Sequence, residues 1–168
     1  MKETTAYFMN KYLRQVVTSG TGGSAGFSGM TVAGKTGTTT DNYDRYFVGY
    51  TPYYVAAVWT GYEVNVKINA SGNPSAKLFR QVMSKIHANL PNKSFFSVDS
   101  GLTSVKVCMD CGNLASDLCA QDIRGSRVKT VEVASGTAPT AVCTCHVAVD
   151  WCAEGEAIAT EFCPADQV

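Results

Sequence analysis

The sequence predicts an α/β protein of the α+β type, in which two helices flank an antiparallel three-stranded meander and a small β-rich, cysteine-rich module follows. Three observations predict this architecture. Apolar residues recur with a helical period in residues 3–18 and again after Asn73, three short β-branched and aromatic runs lie between these segments, and all seven cysteines lie after residue 107. Because the composition changes so sharply, we expect two units, residues 1–91 and 92–168, separated within the stretch "LPNKSFFSVDSG".

The composition is that of a globular protein with small or neutral partners. Of its 168 residues, 45% are hydrophobic, which is enough to form a buried core. Fourteen Lys and Arg balance fourteen Asp and Glu, so the charge does not favour binding to nucleic acid or to an anionic membrane. The chain has no apolar run long enough to cross a bilayer and opens without the apolar core of a signal peptide, so we expect this stretch neither to span nor to target a membrane.

The first predicted element is a surface helix over residues 3–18, and its apolar face consists of Ala6, Met9, Leu13, Val16 and Val17. The glycine-rich stretch 19–29 is expected to be a flexible loop without regular structure. Three strands are then predicted within residues 30–38, 45–51 and 53–62, with a tight turn between the last two. The tyrosines and Trp59 in this region resemble a glycan-stacking face, but their alternation favours cross-strand packing.

A second helix is predicted to begin at Asn73, because Asn is a favoured N-cap residue and Pro74 suits the first helical turn. Pro91 is expected to end this helix. Its apolar stripe consists of Leu78, Phe79, Val82, Met83, Ile86 and Leu90. His87 is expected on the polar side of the helix.

The tail contains an internal repeat. Residues 108–122 and 152–166 align at an offset of 44, and both contain the pattern C-x10-C, so that Cys108 corresponds to Cys152 and Cys119 to Cys163. Between the two copies, "RVKTVEVASGTAPT" predicts a β-rich stretch. We therefore expect a small β-dominated module built from two related units.

The segment "GMTVAGKTGTTTD" (residues 29–41) satisfies two catalytic patterns that imply unrelated chemistry. Residues 29–36 fit the P-loop pattern G-x-x-x-x-G-K-[ST], which requires a helix that begins at the Lys-Thr. Here the variable positions favour extended structure and "GTTTDNYD" is a poor helix start, so nucleotide binding is disfavoured. The alternative is that Lys35-Thr36-Gly37 is the K-T-G strand of penicillin-recognising serine enzymes, in which the ammonium stabilises anions, hydroxyls bind a carboxylate and the glycine lets substrate approach the backbone.

Three longer segments carry a family resemblance: "ETTAYFMNKYLRQVVTSGTG", "VAGKTGTTTDNYDRYFVGYTPYYVAAVWTGYE" and the helix from Asn73. In this order they resemble the C-terminal part of the transpeptidase domain of class A penicillin-binding proteins, the bifunctional enzymes of peptidoglycan synthesis. The tail, with "CGNLASDLC" and "GTAPTAVCTCH", is similar to the cysteine-bearing extension that some of these proteins carry. The resemblance implies a partial penicillin-binding or serine β-lactamase-like fold in residues 1–91.

The resemblance also implies an acyl-transfer reaction, in which a serine attacks a D-Ala-D-Ala peptide bond and a neighbouring stem amine takes the acyl group. The implied catalytic residues are Lys35, as the cleft lysine, and Thr38, whose backbone N–H is one of two oxyanion donors. The implied substrate-binding residues are Thr36, Gly37, Thr38 and Thr39, and the Thr36 and Thr38 hydroxyls bind the carboxylate of the stem peptide or of a β-lactam. No cofactor is expected.

The nucleophile of this family belongs to an S-x-x-K motif and its partner to an S-x-N motif, both upstream of K-T-G. Residues 126–129 and 71–73 fit these patterns, but both follow K-T-G and stand in reversed order. About one match to each pattern is expected by chance in a sequence of this composition, so we interpret both as accidental. Ser24 fits the G-x-S-x-G pattern without the strand that should precede it. We therefore expect a fragment that is inactive by itself, whose partner is the upstream part of the same polypeptide.

The cysteines leave two interpretations open. The repeat favours the disulfides Cys108–Cys119 and Cys152–Cys163 in an extracytoplasmic protein, because one rule then explains four cysteines, and no metal is expected in that case. Alternatively, Cys108 and Cys111 together with residues 143–146 (Cys-Thr-Cys-His) offer four ligands to zinc.

Two function classes follow from the sequence. The first is a fragment of a D,D-transpeptidase that binds stem peptides and β-lactams at the extracytoplasmic face of the bacterial cell membrane, with the membrane anchor in the part of the polypeptide before this chain. The second is a non-catalytic module that binds cell-wall glycan or a partner protein. Covalent labelling by a penicillin distinguishes the two classes.

Overall fold

The computed structural model describes residues 1–98, 100–152 and 155–163. The chain divides into two compact units, residues 1–99 and residues 100–168. The first contains helix α1 (Glu3–Thr18), strands β1 (Ala33–Thr38), β2 (Arg45–Tyr50) and β3 (Val55–Thr60), and helix α2 (Pro74–Ile86). The second contains β4 (Leu102–Cys108), the short helix α3 (Asp117–Ala120), β5 (Val128–Ala134), β6 (Trp151–Cys152) and β7 (Ala157–Ile158). The predicted mixed class, with an antiparallel three-stranded sheet and two flanking helices, is confirmed.

The three strands of the first unit form one antiparallel sheet in the order β1-β2-β3. The β2–β3 turn closes where the Thr51 N–H donates to the Tyr54 carbonyl over 2.8 Å. Directly opposed residues share a face of the sheet, and the register aligns Thr36 with Phe47 and Phe47 with Val58. We call the face that carries these three side chains the inner face.

The inner face forms the core of the first unit together with the helices. Phe47 and Phe79 of α2 are fully buried, and their rings meet edge to face with centroids 4.9 Å apart. Val17 of α1 and Met83 of α2 belong to the same buried cluster. Burying a side chain of this size contributes roughly 1.5–3 kcal/mol, so these contacts hold both helices against the sheet.

The opposite face of the sheet carries exposed apolar side chains. Tyr46, Val48, Val55 and Trp59, which we call the outer apolar face, are between 41% and 72% exposed. Tyr46 is directly opposite Trp59 across β2 and β3, the register that the expected cross-strand packing of aromatic residues requires. The indole Nε1 of Trp59 also donates to Asp44 Oδ1 over 2.8 Å.

Helix α1 has the predicted bounds, but it is buried mainly at its C-terminal end. Val17 is buried, whereas Met9 is exposed although the pattern assigned it to the apolar face. The glycine-rich stretch after α1 is more regular than expected, because a 3₁₀ turn at Gly23–Ala25 brings Ala25 into the core. Small residues permit this close approach: a Cβ on Gly22 would lie 3.2 Å from the Phe47 ring.

Helix α2 begins as predicted, with the Asn73 Oδ1 accepting the Ala76 N–H over 3.2 Å and Pro74 as first residue. It ends at Ile86, earlier than the end expected at Pro91. Only two residues of its predicted stripe, Phe79 and Met83, are buried, because the helix packs through one narrow line of side chains. Ala76, Phe79 and Met83 are buried, whereas Leu78, Val82 and Ile86 are exposed.

His87, which the pattern assigned to the polar side of α2, is instead buried at the C-terminal end of the helix. Its Nδ1 donates to the Met83 carbonyl over 2.7 Å, and its Nε2 lies 2.8 Å from Thr51 Oγ1. A neutral ring that donates through Nδ1 leaves Nε2 to accept the threonine hydroxyl. His87 thereby connects α2 to the β2–β3 turn, over a separation of 36 residues that no local pattern reveals.

In the second unit, β4 and β5 pair in antiparallel orientation from Leu102 opposite Ala134 to Cys108 opposite Val128. The stretch expected to be β-rich contains β5. Beyond the end of β4, Leu114 forms bridges with both Val107 and Val142, which gathers three chain segments around Cys108. In the described ranges of the chain, no helix is both long and apolar enough to cross a membrane.

Candidate functional site

Residues 35–37, the Lys-Thr-Gly of the sequence motif, lie within strand β1 at the edge of the sheet. Among the described residues, β1 pairs with β2 along one side, and its other side has no strand partner. A free strand edge of this kind can hydrogen-bond an extended peptide as an added strand. The P-loop interpretation is excluded, because Lys35 and Thr36 lie inside a strand and not at the start of a helix.

The two faces of β1 carry different functional groups. Thr36 is opposite Phe47 and Thr38 is opposite Arg45, which places both hydroxyls on the inner face. Lys35 and Gly37 alternate to the outer face. The exposed Lys35 side chain folds back along the strand, and its Nζ donates to the Thr36 carbonyl over 3.0 Å. The strand therefore carries two hydroxyls on its inner face, an ammonium on its outer face and a free backbone edge between them.

A depression of about 340 Å³ lies beside the two hydroxyls, and Thr21, Arg45 and Asn73 also line it. Thr21 Oγ1 is 2.9 Å from Thr36 Oγ1. Arg45 donates from Nη1 to Thr38 Oγ1 over 3.3 Å, while its Nε is buried and has no hydrogen-bond partner within the described part of the chain. An unpaired buried donor costs roughly 1–3 kcal/mol, so a guanidinium in this position beside hydroxyls is suited to an anionic ligand.

Sequence reasoning did not single out Arg45, although a signal for it exists in the β1–β2 loop. Asp41 and Asn42 both have positive φ, 60° and 62°, and Asp and Asn are the non-glycine residues that adopt this conformation most readily. The Thr39 N–H donates to the Asp44 carbonyl over 3.2 Å and closes the loop. The consecutive Asp-Asn therefore sets a tight reversal that places Arg45 opposite Thr38.

Thr39, a predicted substrate-binding residue, does not line this depression. Its Oγ1 accepts the Asp44 N–H over 2.8 Å and donates to Asp44 Oδ2 over 3.2 Å. Its hydroxyl therefore serves the β1–β2 loop. Gly37 has the expected close neighbour, since a Cβ there would lie 3.1 Å from Tyr46 Cβ. The side chains of Thr36 and Thr38 therefore line the depression, whereas the Thr39 side chain does not.

The serine patterns elsewhere in the chain have local structural roles. Asn73, the last residue of the S-x-N match, caps α2 and donates from Nδ2 to the Tyr46 carbonyl over 3.0 Å. Ser24 lies in the 3₁₀ turn at Gly23–Ala25. Ser126, the first residue of the S-x-x-K match, accepts the Val128 N–H over 3.4 Å at the start of β5. The contacts of Asn73 and Ser126 are structural, and Ser24 follows helix α1 and not the strand that a nucleophile elbow requires.

The predicted disulfides Cys108–Cys119 and Cys152–Cys163 are not supported by the structure, because all seven cysteines lie in the described ranges and all are free there. The members of each pair are nevertheless close. Cys108 and Cys119 have thiols within 4.8 Å of each other, and the side chain of Cys163 hydrogen-bonds that of Cys152. Cys108 has other neighbours at the same range, so it belongs to a larger cluster and not to an isolated pair.

The sequence repeat has a counterpart in the backbone of the described residues. Two contacts of the first copy recur in the second at the same offset. They are the strand contacts Val107–Leu114 and Trp151–Ile158, and the N–H to thiol hydrogen bonds Ser116–Cys119 (3.3 Å) and Thr160–Cys163 (3.4 Å). The two copies therefore share a local structure, although the covalent pairing inferred from it is absent.

Six side chains that can bind a soft metal ion converge around the end of β4: Cys108, Cys111, Cys119, Cys143, Cys145 and His146. Two sets of four have donor atoms that all lie within 4.8 Å of one another. One set is Cys108, Cys119, Cys143 and His146, and the other is Cys108, Cys111, Cys143 and Cys145. The zinc interpretation of the sequence named Cys108, Cys111 and residues 143–146, but not Cys119.

His146 lies between thiols and carboxylates. Its Nδ1 is 3.6 Å from Cys108 Sγ and 3.3 Å from Cys143 Sγ, while its Nε2 is 3.2 Å from Asp110 and 3.0 Å from Asp122. Nε2 can hydrogen-bond a carboxylate only as a donor, so in the neutral ring the Nδ1 lone pair points at the sulfurs. The hydrogen bond between the His146 ring and Cys143 raises the pKa of His146 and lowers the pKa of Cys143 to about 5.

Two arginines hold these carboxylates in place. Arg127 binds Asp110 through two contacts of 2.7 and 3.2 Å, and Arg124 binds Asp122 through two contacts of 2.8 and 2.7 Å. These hydrogen bonds keep the pKa of both aspartates below the usual range. The carboxylates therefore stay ionised and fix the orientation of the His146 ring.

The geometry of the first unit, a K-T-G motif on the edge strand of an antiparallel sheet with helices packed on the inner face, is typical of penicillin-recognising serine enzymes. The model of the penicillin binding protein transpeptidase domain matches residues 1–84. The model of the penicillin-binding protein 1A C-terminal domain matches residues 98–148. The chain belongs to the penicillin-binding protein transpeptidase family, which confirms the resemblance stated from the sequence.

Individual relatives agree with the family models. Penicillin-binding protein 1A of Clostridium perfringens is 40% identical over 142 residues, which cover 84% of this chain and 17% of that protein. Penicillin-binding protein 1A/1B of Bacillus subtilis is 31% identical over 157 residues, with the same two coverages, 84% and 17%. This chain therefore spans about a sixth of the length of these relatives.

A solved structure supports the fold. The crystal structure of penicillin-binding protein 1A from Haemophilus influenzae matches with a TM-score of 0.59 and 18% identity, over 85% of this chain and 22% of that one. The similarity extends over most of the chain although few residues are identical.

Proposed function

We propose that the first unit supplies the Lys-Thr-Gly wall of the acyl-transfer site of a peptidoglycan D,D-transpeptidase that cross-links stem peptides and is acylated by β-lactams. The observation that carries this proposal is the edge strand β1, where Thr36 and Thr38 line a depression beside the Arg45 Nε, which has no hydrogen-bond partner among the described residues. Membership of the transpeptidase family supports the reaction class. The reaction takes place at the extracytoplasmic face of the membrane, where peptidoglycan is.

Each group has a role that follows from its chemistry. The Lys35 ammonium, now donating to a backbone carbonyl, can turn toward an anion that develops during proton transfer. The Thr38 backbone N–H is assigned to the oxyanion, a type of donor whose loss costs about a hundredfold or more in rate. The Gly37 position keeps the strand free of a side chain, so that the substrate backbone can lie against it.

Arg45 extends the set of residues proposed to bind the substrate. Its Nη1 already donates to Thr38 Oγ1, and its Nε has no partner within the described residues. The terminal carboxylate of a D-Ala-D-Ala stem, or the carboxylate of a β-lactam, matches this combination of guanidinium and hydroxyl donors. We assign the serine nucleophile to the upstream part of the same polypeptide, because the serine patterns of this chain have local structural roles.

The test is a chimera in which residues 1–98 of this chain replace the matching segment of the Clostridium perfringens relative. We expect a fluorescent penicillin to label the chimera covalently, and we expect the isolated chain to remain unlabelled. Lys35→Ala should reduce the acylation rate about a hundredfold or more, and Arg45→Ala should raise the penicillin concentration needed for half-maximal labelling. Lys67→Ala, which removes an exposed ammonium that makes no hydrogen bond or ion pair with the described residues, is the matched control.

Circular dichroism of each chimera verifies folding before the rates are compared. A folded chimera with unchanged labelling after Lys35→Ala would remove Lys35 from the site. A folded chimera without any labelling would favour the second function class, a non-catalytic module that binds cell-wall glycan or a partner protein. An adduct on the isolated chain would show that it carries its own nucleophile.

A further inference from the structure

We propose that Cys108, Cys119, Cys143 and His146 form a structural zinc site in the second unit. Three thiolates and one imidazole are a common ligand set for structural zinc. The expectation that the chain binds no metal depended on disulfides, and the structure contains free thiols in their place. The site lies outside the Lys-Thr-Gly strand and has no part in the acyl-transfer chemistry proposed above.

The spacing of the donor atoms suits a single tetrahedral ion. Zinc–sulfur bonds of about 2.3 Å and zinc–nitrogen bonds of about 2.0 Å set tetrahedral donors roughly 3.5–3.8 Å apart. His146 Nδ1 is 3.6 Å from Cys108 Sγ and 3.3 Å from Cys143 Sγ, and all four donor atoms lie within 4.8 Å of one another. Shifts of up to about 1 Å from these separations would complete a tetrahedral arrangement.

Burial decides between the two possible ligand sets. Cys108 and Cys119 have no exposed surface, Cys143 is 6% exposed, and the His146 side chain is 9% exposed. Cys111 and Cys145 are both exposed. Cys145 Sγ also lies 3.3 Å from Cys143 Sγ and 3.5 Å from His146 Nδ1, so distance alone does not separate the two sets. Structural zinc sites are closed to solvent, and the buried set is therefore the better candidate.

The surroundings of the four ligands are those that a zinc site requires. A histidine ligand usually donates its second ring nitrogen to a carboxylate, and His146 Nε2 faces Asp110 and Asp122. Thiolates bound to zinc also need hydrogen-bond donors. The Asp110 N–H donates to Cys108 Sγ over 3.4 Å, and the Ser116 N–H donates to Cys119 Sγ over 3.3 Å.

The composition of the second unit's core explains why a metal would matter there. Its buried cluster within the described residues consists of Cys108, Cys119 and Cys143, with Ala115 and Val128 packed against it. A module this small has too little apolar surface to be stabilised by burial alone, and a structural metal supplies the missing folding energy. Zn²⁺ would bind as three protons leave the four ligands, so the net charge of the site would change by −1.

The first experiment uses the intact chain, reduced, stripped of metal and then titrated with Zn²⁺. Native mass spectrometry should show one zinc per chain with the loss of three protons. In the zinc-loaded chain, alkylation should modify Cys111 and Cys145 rapidly and leave Cys108, Cys119 and Cys143 protected. Because this measurement uses the unaltered protein, it does not depend on any variant folding.

The second experiment compares matched variants. Cys119→Ser should lower zinc affinity about a hundredfold or more, whereas Cys163→Ser, at the corresponding thiol of the second copy, should leave affinity within about threefold. Asp122→Asn should lower zinc affinity about 10- to 100-fold, because it weakens the carboxylate that orients the His146 ring. Cys111→Ser and Cys145→Ser should retain one tightly bound ion.

Four outcomes would overturn the proposal. They are the absence of zinc binding by the reduced chain, two ions per chain, loss of the ion in Cys111→Ser or Cys145→Ser with retention in Cys119→Ser, and a Cys108–Cys119 disulfide mapped in protein isolated under non-reducing conditions.

Discussion

Gly34, the residue before Lys35, occupies a position where the sheet leaves no space for a side chain. A Cβ there would lie 2.5 Å from Phe47 Cζ and 2.7 Å from the Val48 carbonyl oxygen. The second of these atoms belongs to the backbone of β2, so it cannot rotate away. The register that places Lys35 on the edge strand therefore depends on a glycine at this position.

At the residue scale we predict that Gly34→Ala destabilises the first unit by about 1–3 kcal/mol, because it overpacks the contact between β1 and β2. Urea unfolding followed by circular dichroism measures the effect. Gly23→Ala is the control, since the nearest atom to a Cβ there is the Val17 carbonyl oxygen at 3.8 Å. Equal stability of the two variants would contradict the close packing described at Gly34.

At the scale of elements, the N-terminus of α2 is attached to the middle and last strands of the sheet. Asn73 caps the helix and also donates to the Tyr46 carbonyl over 3.0 Å. Ser75 donates from Oγ to the Arg45 carbonyl over 2.7 Å and lies 2.7 Å from Thr60 Oγ1. These bonds hold the backbone of Arg45, so α2 positions the guanidinium proposed to bind a carboxylate.

We predict that Asn73→Ala lowers the free energy of unfolding by about 1–3 kcal/mol, since it removes a helix cap and leaves the Tyr46 carbonyl without that donor. Denaturant unfolding of the isolated chain measures the loss. Ser71→Ala, an exposed substitution two residues earlier, should change stability by less than about 0.5 kcal/mol. A similar loss in both variants would indicate that the loop, and not the cap, determines the result.

At the scale of the whole molecule, the outer apolar face is exposed, and the helices of the first unit pack on the other face of the sheet. Its four residues, Tyr46, Val48, Val55 and Trp59, are adjacent on β2 and β3 and project away from the core. An exposed apolar patch on a sheet commonly marks a surface that another element covers. We expect the upstream part of the same polypeptide to cover it.

We therefore predict that the isolated chain self-associates or binds a hydrophobic dye. Analytical ultracentrifugation and dye fluorescence measure these two properties. Val48→Lys combined with Val55→Lys should reduce both, while circular dichroism remains unchanged because neither side chain is buried. A monomer that binds no dye would contradict the expectation that this face has a covering partner.

The site was only partly predictable. Lys35, Thr36 and Thr38 form a short contiguous motif, whose extended pattern and surrounding strands are visible in the sequence. The sequence did not identify Arg45 as a site residue, because its position opposite Thr38 depends on the register set by the Asp41-Asn42 reversal. Thr39 was included because it continues the motif, but its hydroxyl is engaged by the loop.

The sequence by itself determined the features whose physical cause lies within a few consecutive residues. The bounds of α1, the Asn73 cap, the three strands and the local backbone of the C-x10-C repeat all follow from periodicity, capping and β propensity. The tertiary structure alone decided the burial of His87 and the association of His146 with three buried cysteines. Thiol chemistry permits a disulfide or a metal ligand equally well, and only the position of the remaining donors in space distinguishes these two uses.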